Sequence, residues 1–108
     1  MERFVAGDVV IVSFPFSDFK GQKLRPALVL AEAEFSDLIL CQITSKPYTS
    51  HTAIKLNQAD FVRGGLPIVS YIRPDKLFTT DPSIIQRTVG HISDDRLAQV
   101  LKEVKQLF

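Results

Sequence analysis

Arg25 and Thr44 are the two residues whose positions best suit the binding of an anion. Arg25 stands where an apolar stretch, Pro26–Leu30, begins, and it follows a polar link that contains Lys20 and Lys23. A guanidinium matches two oxygens of one phosphate, and a threonine hydroxyl adds a further hydrogen bond. The pair therefore indicates a phosphate-binding site. The same residues also fit a surface arginine beside a proline and a threonine that ends a strand.

The segment that carries Thr44 is predicted to be a strand whose two faces differ. In Asp37–Ser45, one face reads Leu38, Leu40, Gln42 and Thr44, so it begins apolar and becomes polar. We therefore expect the carboxyl end of this strand to lie outside the core and to line a functional site.

A polar turn at Glu32–Ser36 joins this strand to the preceding one, and the two are predicted to form an antiparallel hairpin. With the turn centred near residue 34, position 25 lies opposite position 43 or 44. Because a rigid strand end holds a side chain in place better than a loop does, the hairpin is expected to bring Arg25 and Thr44 together.

The rest of the chain predicts a mainly β protein. Short apolar runs bounded by Gly, Pro and polar residues are typical of strands. Six or seven such runs occur, at 8–16, 26–31, 37–45, 53–56, 68–72, 76–80 and 87–92. Pro26 is predicted at the first position of its strand, because proline cannot donate to a ladder. Asn57–Leu66 is expected to hold a helical turn followed by a break at Gly64 and Gly65.

Two further helical signals lie in the C-terminal part of the chain. Asp81 before Pro82 predicts a one-turn helix through Gln86. Ser93 is expected to cap an amphipathic helix whose apolar residues recur at spacings of three and four through Phe108. Several short strands closed by one amphipathic helix predict a small, partly open β-barrel.

Length and composition narrow the class of protein. Residues 1–108 are expected to form a single domain. The net charge of +1 excludes a wholly polybasic nucleic-acid-binding protein, so a phosphate-binding surface must be local. The single Cys41 cannot form an internal disulfide, no apolar run approaches the ~20 residues that cross a bilayer, and the charged start does not read as a signal peptide. We therefore expect a cytoplasmic protein without membrane contact.

Metal and thiol chemistry have little support in the sequence. Cys41, His51 and His91 show no spacing typical of metal ligands, so neither a metal nor a cofactor is expected. Cys41 lies in an apolar strand and is predicted to pack as a small core residue rather than to act as a nucleophile. His91 precedes the capped helix and is expected to be structural or at the surface.

Five segments resemble the PemK/MazF family of bacterial toxins: GDVVIVSFPF, LRPALVL, CQITS, IVSYIRPDKLFTTD and TVGHISDDRLAQVLKEVKQLF. The most specific pieces are Gly7-Asp8, Arg25-Pro26 and Ile43-Thr44-Ser45. The resemblance implies an SH3-like barrel with a C-terminal helix and an endoribonuclease, or mRNA interferase, of a type II toxin–antitoxin module. It also implies a homodimer that cleaves single-stranded RNA at short sequences without a metal, is inhibited by a cognate antitoxin and contacts DNA only through that antitoxin.

The resemblance places the family's catalytic arginine on Arg25 and its catalytic threonine on Thr44. Typical members carry an acidic residue in the loop before Arg-Pro, whereas here the only carboxylate of that loop is Asp18. Either Asp18 takes over that role, or Lys20 and Lys23 have adapted the loop to phosphate binding. Two other functions stay open: a gyrase-inhibiting toxin that resembles the CcdB group, for which the Arg-Pro and Ile-Thr-Ser segments would not be needed, and a family member that binds RNA or antitoxin without cleaving.

Cleavage of RNA without a metal uses the 2′-hydroxyl as the nucleophile, so it needs a stabiliser of the phosphorane, a base and an acid. Arg25 suits the first role and is a poor base, and Thr44 would hold a phosphate oxygen. The proton shuttle is predicted to be Asp18 or His51, although His51 also fits a solvated loop histidine. Phe19 and Tyr48 suit base stacking, or they cover the core. The residues expected to bind substrate are Phe19, Lys20, Lys23, Gln42, Ser45, Lys46 and Tyr48.

If His51 is the shuttle, His51→Ala should lower the cleavage rate and alter its pH dependence between about pH 5 and 8, where an imidazole titrates. A pH–rate profile of the variant against the unchanged protein measures this. A profile that keeps its height and shape would show that His51 takes no part in proton transfer.

Overall fold

The computed structural model describes residues 3–15, 22–46 and 52–108, and these residues form one antiparallel sheet of seven strands. The strands are β1 (Asp8–Pro15), β2 (Gln22–Glu32), β3 (Leu38–Thr44), β4 (Ile54–Leu56), β5 (Phe61–Gly64), β6 (Ser70–Thr80) and β7 (Ile85–Ile92). Their order across the sheet is β4-β6-β3-β2-β1-β7-β5. A single helix, α1 (Asp94–Lys105), follows β7. The mainly β prediction with one C-terminal helix is confirmed, and no helix in the described ranges has the length and apolar character to cross a membrane.

Apolar side chains pack on both faces of the sheet, because successive residues of a strand point to opposite faces. One face forms a cluster beneath α1, the helix-side core, made of Val9, Leu28, Leu30, Cys41, Ile43, Ile54, Leu56, Ile72, Ile92 and Val100. The other face forms a smaller cluster, the opposite core, made of Val10, Val12, Ala27, Val29, Leu38 and Leu40. The central strands are therefore buried on two sides, which explains their nearly continuous apolar sequence.

Helix α1 begins where the sequence predicted, but its apolar face is shorter than predicted, because the helix ends at Lys105 and both Leu101 and Phe108 are exposed. The Ser93 hydroxyl accepts a hydrogen bond from the N–H of Arg96 at 3.2 Å, and the first turn carries Asp94 and Asp95. Val100 is fully buried in the helix-side core. The preceding helical turn is shorter than predicted, a 3-10 turn over Pro82–Ile84, because β7 begins directly after it.

The prediction that Pro26 begins a strand is wrong. Strand β2 begins at Gln22, and Pro26 lies inside it, in register with Ile11 of β1. The pairing of β2 with β3 ends at Ala27 opposite Gln42. Proline is tolerated at this position because the ladder on the β3 side has already ended, so the missing N–H interrupts no pairing there.

Two further strand predictions are wrong in the second half of the chain. The segments 70–72 and 76–80 of the two predicted runs are parts of one strand, β6, in which Pro74–Lys76 form a bulge between the two paired halves. A proline at a bulge does not break a strand, because it replaces no ladder bond. Strand β5 was missed, since the segment 57–66 predicted a helical turn and a glycine break; the turn is present as Gln58–Asp60.

Asp8 is a buried carboxylate that connects three parts of the fold. Its Oδ2 accepts the N–H of Val5 at 3.0 Å, and its Oδ1 lies 2.8 Å from Nδ1 of His91 and 3.9 Å from a guanidinium nitrogen of Arg63. Gly7 has a φ of 99°, and a Cβ there would lie 2.8 Å from the His91 ring. The half-buried His91 thus has the structural role expected of it.

Asp8→Ala should lower the free energy of unfolding by about 2 kcal/mol, because it leaves the partly buried hydrogen-bonding groups of Val5 and His91 without their partner. Urea denaturation measures the change. Asp94→Ala, at an exposed position in the first turn of α1, is the matched control and should cost less than about 1 kcal/mol. Equal losses in the two variants would contradict a stabilising role for the Asp8 cluster.

Candidate functional site

Arg25 and Thr44 lie on neighbouring strands, just beyond the last pair of the hairpin of β2 and β3. That last pair is Ala27 with Gln42, and Arg25 and Thr44 each lie two residues further along their strands. Their direct opposition at position 43 or 44 stays a prediction. Arg25 pairs with Val12 of β1, so it lies within the sheet rather than in a loop.

The two side chains lie on the face of the opposite core, at the end where that core stops. Residues directly opposite each other in an antiparallel pair share a face. Val12, the partner of Arg25, is fully buried in the opposite core. Along β3 on the same face, Leu40 is buried, whereas Gln42 and Thr44 are partly exposed. The predicted change from an apolar to a polar face is therefore confirmed.

Thr44 is held by the backbone that follows it. Its Oγ1 accepts a hydrogen bond from the N–H of Lys46 at 3.2 Å. A hydroxyl that accepts one bond keeps its own hydrogen to donate elsewhere. The threonine is thus fixed by a local turn and can still donate to an anionic oxygen.

Positive charge collects at this end of the face. Lys23 lies two residues before Arg25 on the same strand, and both Lys23 and Lys46 are exposed. Arg73 of β6 is paired with Gln42, and a nitrogen of its guanidinium lies 4.0 Å from Oδ2 of Asp75. Clustered cationic side chains beside the polar residues Gln42 and Thr44 are suited to binding a phosphate.

Sequence reasoning missed two residues of this site, Tyr71 and Arg73. Tyr71 is the register partner of Thr44, as Arg73 is of Gln42. The available signal was the alternation of β6, in which Ser70 and Ile72 are buried while Tyr71 and Arg73 are partly exposed. That alternation predicts that Tyr71 and Arg73 share one face of β6. It does not predict which residues lie beside them, because these depend on the long-range pairing of β3 with β6.

Ser45 lies apart from the other predicted substrate-binding residues. It lines a cavity of about 290 Å³ with Ile11, Pro26 and Val89, on the helix side of the sheet. The remaining predicted site residues lie outside the described parts of the chain, and their roles stay predictions: Asp18, Phe19, Lys20, Tyr48 and His51.

Neither a metal cluster nor a reactive thiol is found near this site in the described ranges. Among residues 3–15, 22–46 and 52–108, no three His, Cys, Asp or Glu side chains are placed to hold a metal ion. Cys41 is completely buried in the helix-side core, and burial raises the pKa of its thiol to about 12. The thiol is therefore a core side chain, as the sequence predicted.

The sequence model of PemK-like, MazF-like toxins of type II toxin–antitoxin systems matches residues 6–108. The chain belongs to this family.

Several solved toxin and endoribonuclease structures share the fold. A MazE–MazF structure from Deinococcus radiodurans has a TM-score of 0.75 at 24% identity, over 94% of this chain and 92% of that chain. An endoribonuclease in complex with its cognate antitoxin from a mycobacterial species has a TM-score of 0.73 at 14% identity, over 96% and 93%. The Mycobacterium tuberculosis toxin MazF-mt6 has 0.67 at 17%, over 90% and 93%. The predicted PemK/MazF-type fold is confirmed; the sequence matches none of the curated proteins.

Cys41 should resist alkylation by iodoacetamide in the folded protein. With a pKa of about 12, roughly one thiol in ten thousand is a thiolate at about pH 8. Mass spectrometry of samples with and without guanidinium chloride measures the labelling, and the unfolded chain should react far faster. Rapid labelling of the folded protein would contradict the buried placement.

The same raised pKa gives a stability effect at high pH. The folded thiol has a higher pKa than its ordinary value of 9.0, so its contribution is complete below pH 9 and is lost as the pH rises towards 12. Cys41→Ala should remove this part of the alkaline decline in urea stability.

Proposed function

We propose that this toxin is an endoribonuclease that cleaves single-stranded RNA at short sequences, with Arg25 and Thr44 at its reacting centre. The observation that carries the proposal is that Arg25 and Thr44 lie on neighbouring strands and on the same face, at the polar end of an otherwise buried face. Two of the mycobacterial structures with this fold are endoribonucleases, which supports the same reaction class.

The proposed reaction is attack of the 2′-hydroxyl on the adjacent phosphate, with departure of the 5′-oxygen of the next nucleotide. A new bond forms from O2′ to phosphorus as the bond from phosphorus to O5′ breaks. The base takes the proton of the 2′-hydroxyl, and the acid supplies one to the leaving oxygen. The protein must therefore stabilise a crowded anionic phosphorane and move two protons.

Arg25 suits the stabilising role, because its two-pronged donor group fits two oxygens of one phosphate. Thr44 suits a positioning role, since its hydroxyl is oriented by Lys46 and has a hydrogen to donate. Both groups act on the phosphate without a metal ion. The proposed proton shuttle is still Asp18 or His51.

The cations around this centre suit an RNA backbone. Lys23, Lys46 and Arg73 lie on or beside the face that carries Arg25, while the whole chain has a net charge of only +1. RNA should therefore bind at this face, and its affinity should decrease as the salt concentration rises. Gln42, which is partly exposed in the same face, is a further proposed substrate contact.

The proposed partners follow from the family. We infer a homodimer in the cytoplasm that is held inactive by a cognate antitoxin and meets DNA only through that antitoxin. A MazE–MazF structure and an endoribonuclease with its cognate antitoxin share the fold, which supports the antitoxin as a partner.

Arg25→Ala should reduce the rate of RNA cleavage by about 10²–10³-fold, because it removes the main phosphorane donor. Thr44→Val, which keeps the side-chain shape, should cost about tenfold. Cleavage of a long single-stranded messenger RNA is followed with and without EDTA, and the cut ends are mapped.

Arg3→Ala is the control for Arg25→Ala, since Arg3 is largely exposed and lies near Glu32, away from this end of the sheet. Discrete cuts that persist in EDTA and vanish with Arg25→Ala would support the proposal. Intact RNA from the folded protein would overturn it, and growth arrest with intact RNA would favour gyrase as the target.

A further inference from the structure

A row of directly paired residues extends from the proposed reacting centre to the edge of the sheet. Thr44 of β3 pairs with Tyr71 of β6, and Tyr71 pairs with Lys55 of the edge strand β4. The row therefore carries, in spatial order, a hydroxyl, an aromatic ring and an ammonium group. Arg25 lies on β2, the other neighbour of β3, two residues beyond the last β2–β3 pair.

Burial along the two outer strands fixes the direction of these side chains. In β4, Ile54 and Leu56 are buried in the helix-side core, so Lys55 between them points to the opposite face, where it is exposed. In β6, Ile72 is likewise in the helix-side core, and Tyr71 beside it points the other way. Tyr71 and Lys55 thus share the face of Arg25 and Thr44.

We propose that Tyr71 and Lys55 form a subsite for the RNA nucleotides next to the scissile phosphate, with the Tyr71 ring stacking on a base and Lys55 contacting a backbone phosphate. This inference rests on the proposed function of the Arg25–Thr44 centre and extends it to substrate binding. The substrate strand then runs across β3, β6 and β4, at right angles to the strands of the sheet.

The spacing and chemistry of the row fit a single-stranded nucleic acid. Two strand spacings separate Thr44 from Lys55, about 10 Å, which is the distance of a neighbouring nucleotide rather than of the same phosphate. Aromatic rings set beside cations are the usual platform for unpaired bases and their backbone. Stacking tolerates any base, so this subsite contributes affinity and direction more than sequence choice.

Lys55→Gln gives the first test, because Lys55 is exposed and its replacement leaves both cores intact. Binding is measured by fluorescence anisotropy with a labelled 2′-O-methyl oligoribonucleotide of mixed sequence, which has no free 2′-hydroxyl and stays uncut. The slope of log affinity against log salt should become shallower by about 0.7. Lys102→Gln removes the same charge from α1, on the other side of the sheet, and should leave the slope unchanged. An unchanged slope in Lys55→Gln would overturn the subsite.

Tyr71→Leu and Tyr71→Phe separate the ring from the hydroxyl. Leucine should weaken binding of the same oligonucleotide about tenfold, whereas phenylalanine should bind like the unchanged protein, because stacking needs the ring alone. Thermal melting of each variant confirms that the fold is retained. Equal loss in both variants would assign the effect to the hydroxyl and overturn the stacking role.

Cleavage kinetics distinguish failure of the subsite from failure of the proposed reaction. If RNA is cleaved, Tyr71→Leu and Lys55→Gln should raise KM and retain kcat, whereas Arg25→Ala should lower kcat. If both variants cleave RNA with an unchanged KM, the subsite proposal is overturned and the endoribonuclease proposal stands. Binding that depends on Tyr71 and Lys55, without any cleavage, would support the subsite and overturn the endoribonuclease.

Discussion

The register between β2 and β3 is the constraint on which the site depends. Because side chains alternate between faces, a slip of one residue would move Arg25 to the helix side of the sheet and leave Thr44 without it. Apolar side chains on both faces oppose such a slip, since it would exchange Val29 and Leu28 between two cores of different shape. The packing that stabilises the sheet therefore also sets the geometry of the proposed reacting centre.

The polar residues of the proposed site lie where the opposite core ends, and this limits the free-energy cost of burying charged groups. The opposite core stops at Val12 and Leu40, and the next residues on the same face are Arg25, Gln42 and Thr44. A charged group at this boundary has its stem against apolar neighbours and its head towards water. The helix-side core continues beneath the same strand ends through Ile43, so the backbone under the site stays buried.

Sequence reasoning identified the central hairpin because its information is local. The change from Leu40 to Gln42 is visible within one strand, and the turn fixes the pairing of its two arms. The strand boundaries predicted at Pro26 and Pro74 are wrong, because the sequence does not show where the hydrogen-bonded pairing with each neighbouring strand ends. Tyr71 and Lys55 join the site through pairings between distant segments, and Asp8 meets His91 across 83 positions.

The arrangement of β1 has a consequence for synthesis of the toxin. This first strand is central in the sheet, between β2 and β7, and its second neighbour is the last strand of the chain. On the ribosome, β1 has one open edge until β7 emerges, and the opposite core lacks Ile84 and Ile85, which pack against it. Long-range pairings of this kind form late in folding. The sheet that carries Arg25 and Thr44 thus closes only when nearly the whole chain has been translated, so an interrupted product would lack a complete scaffold.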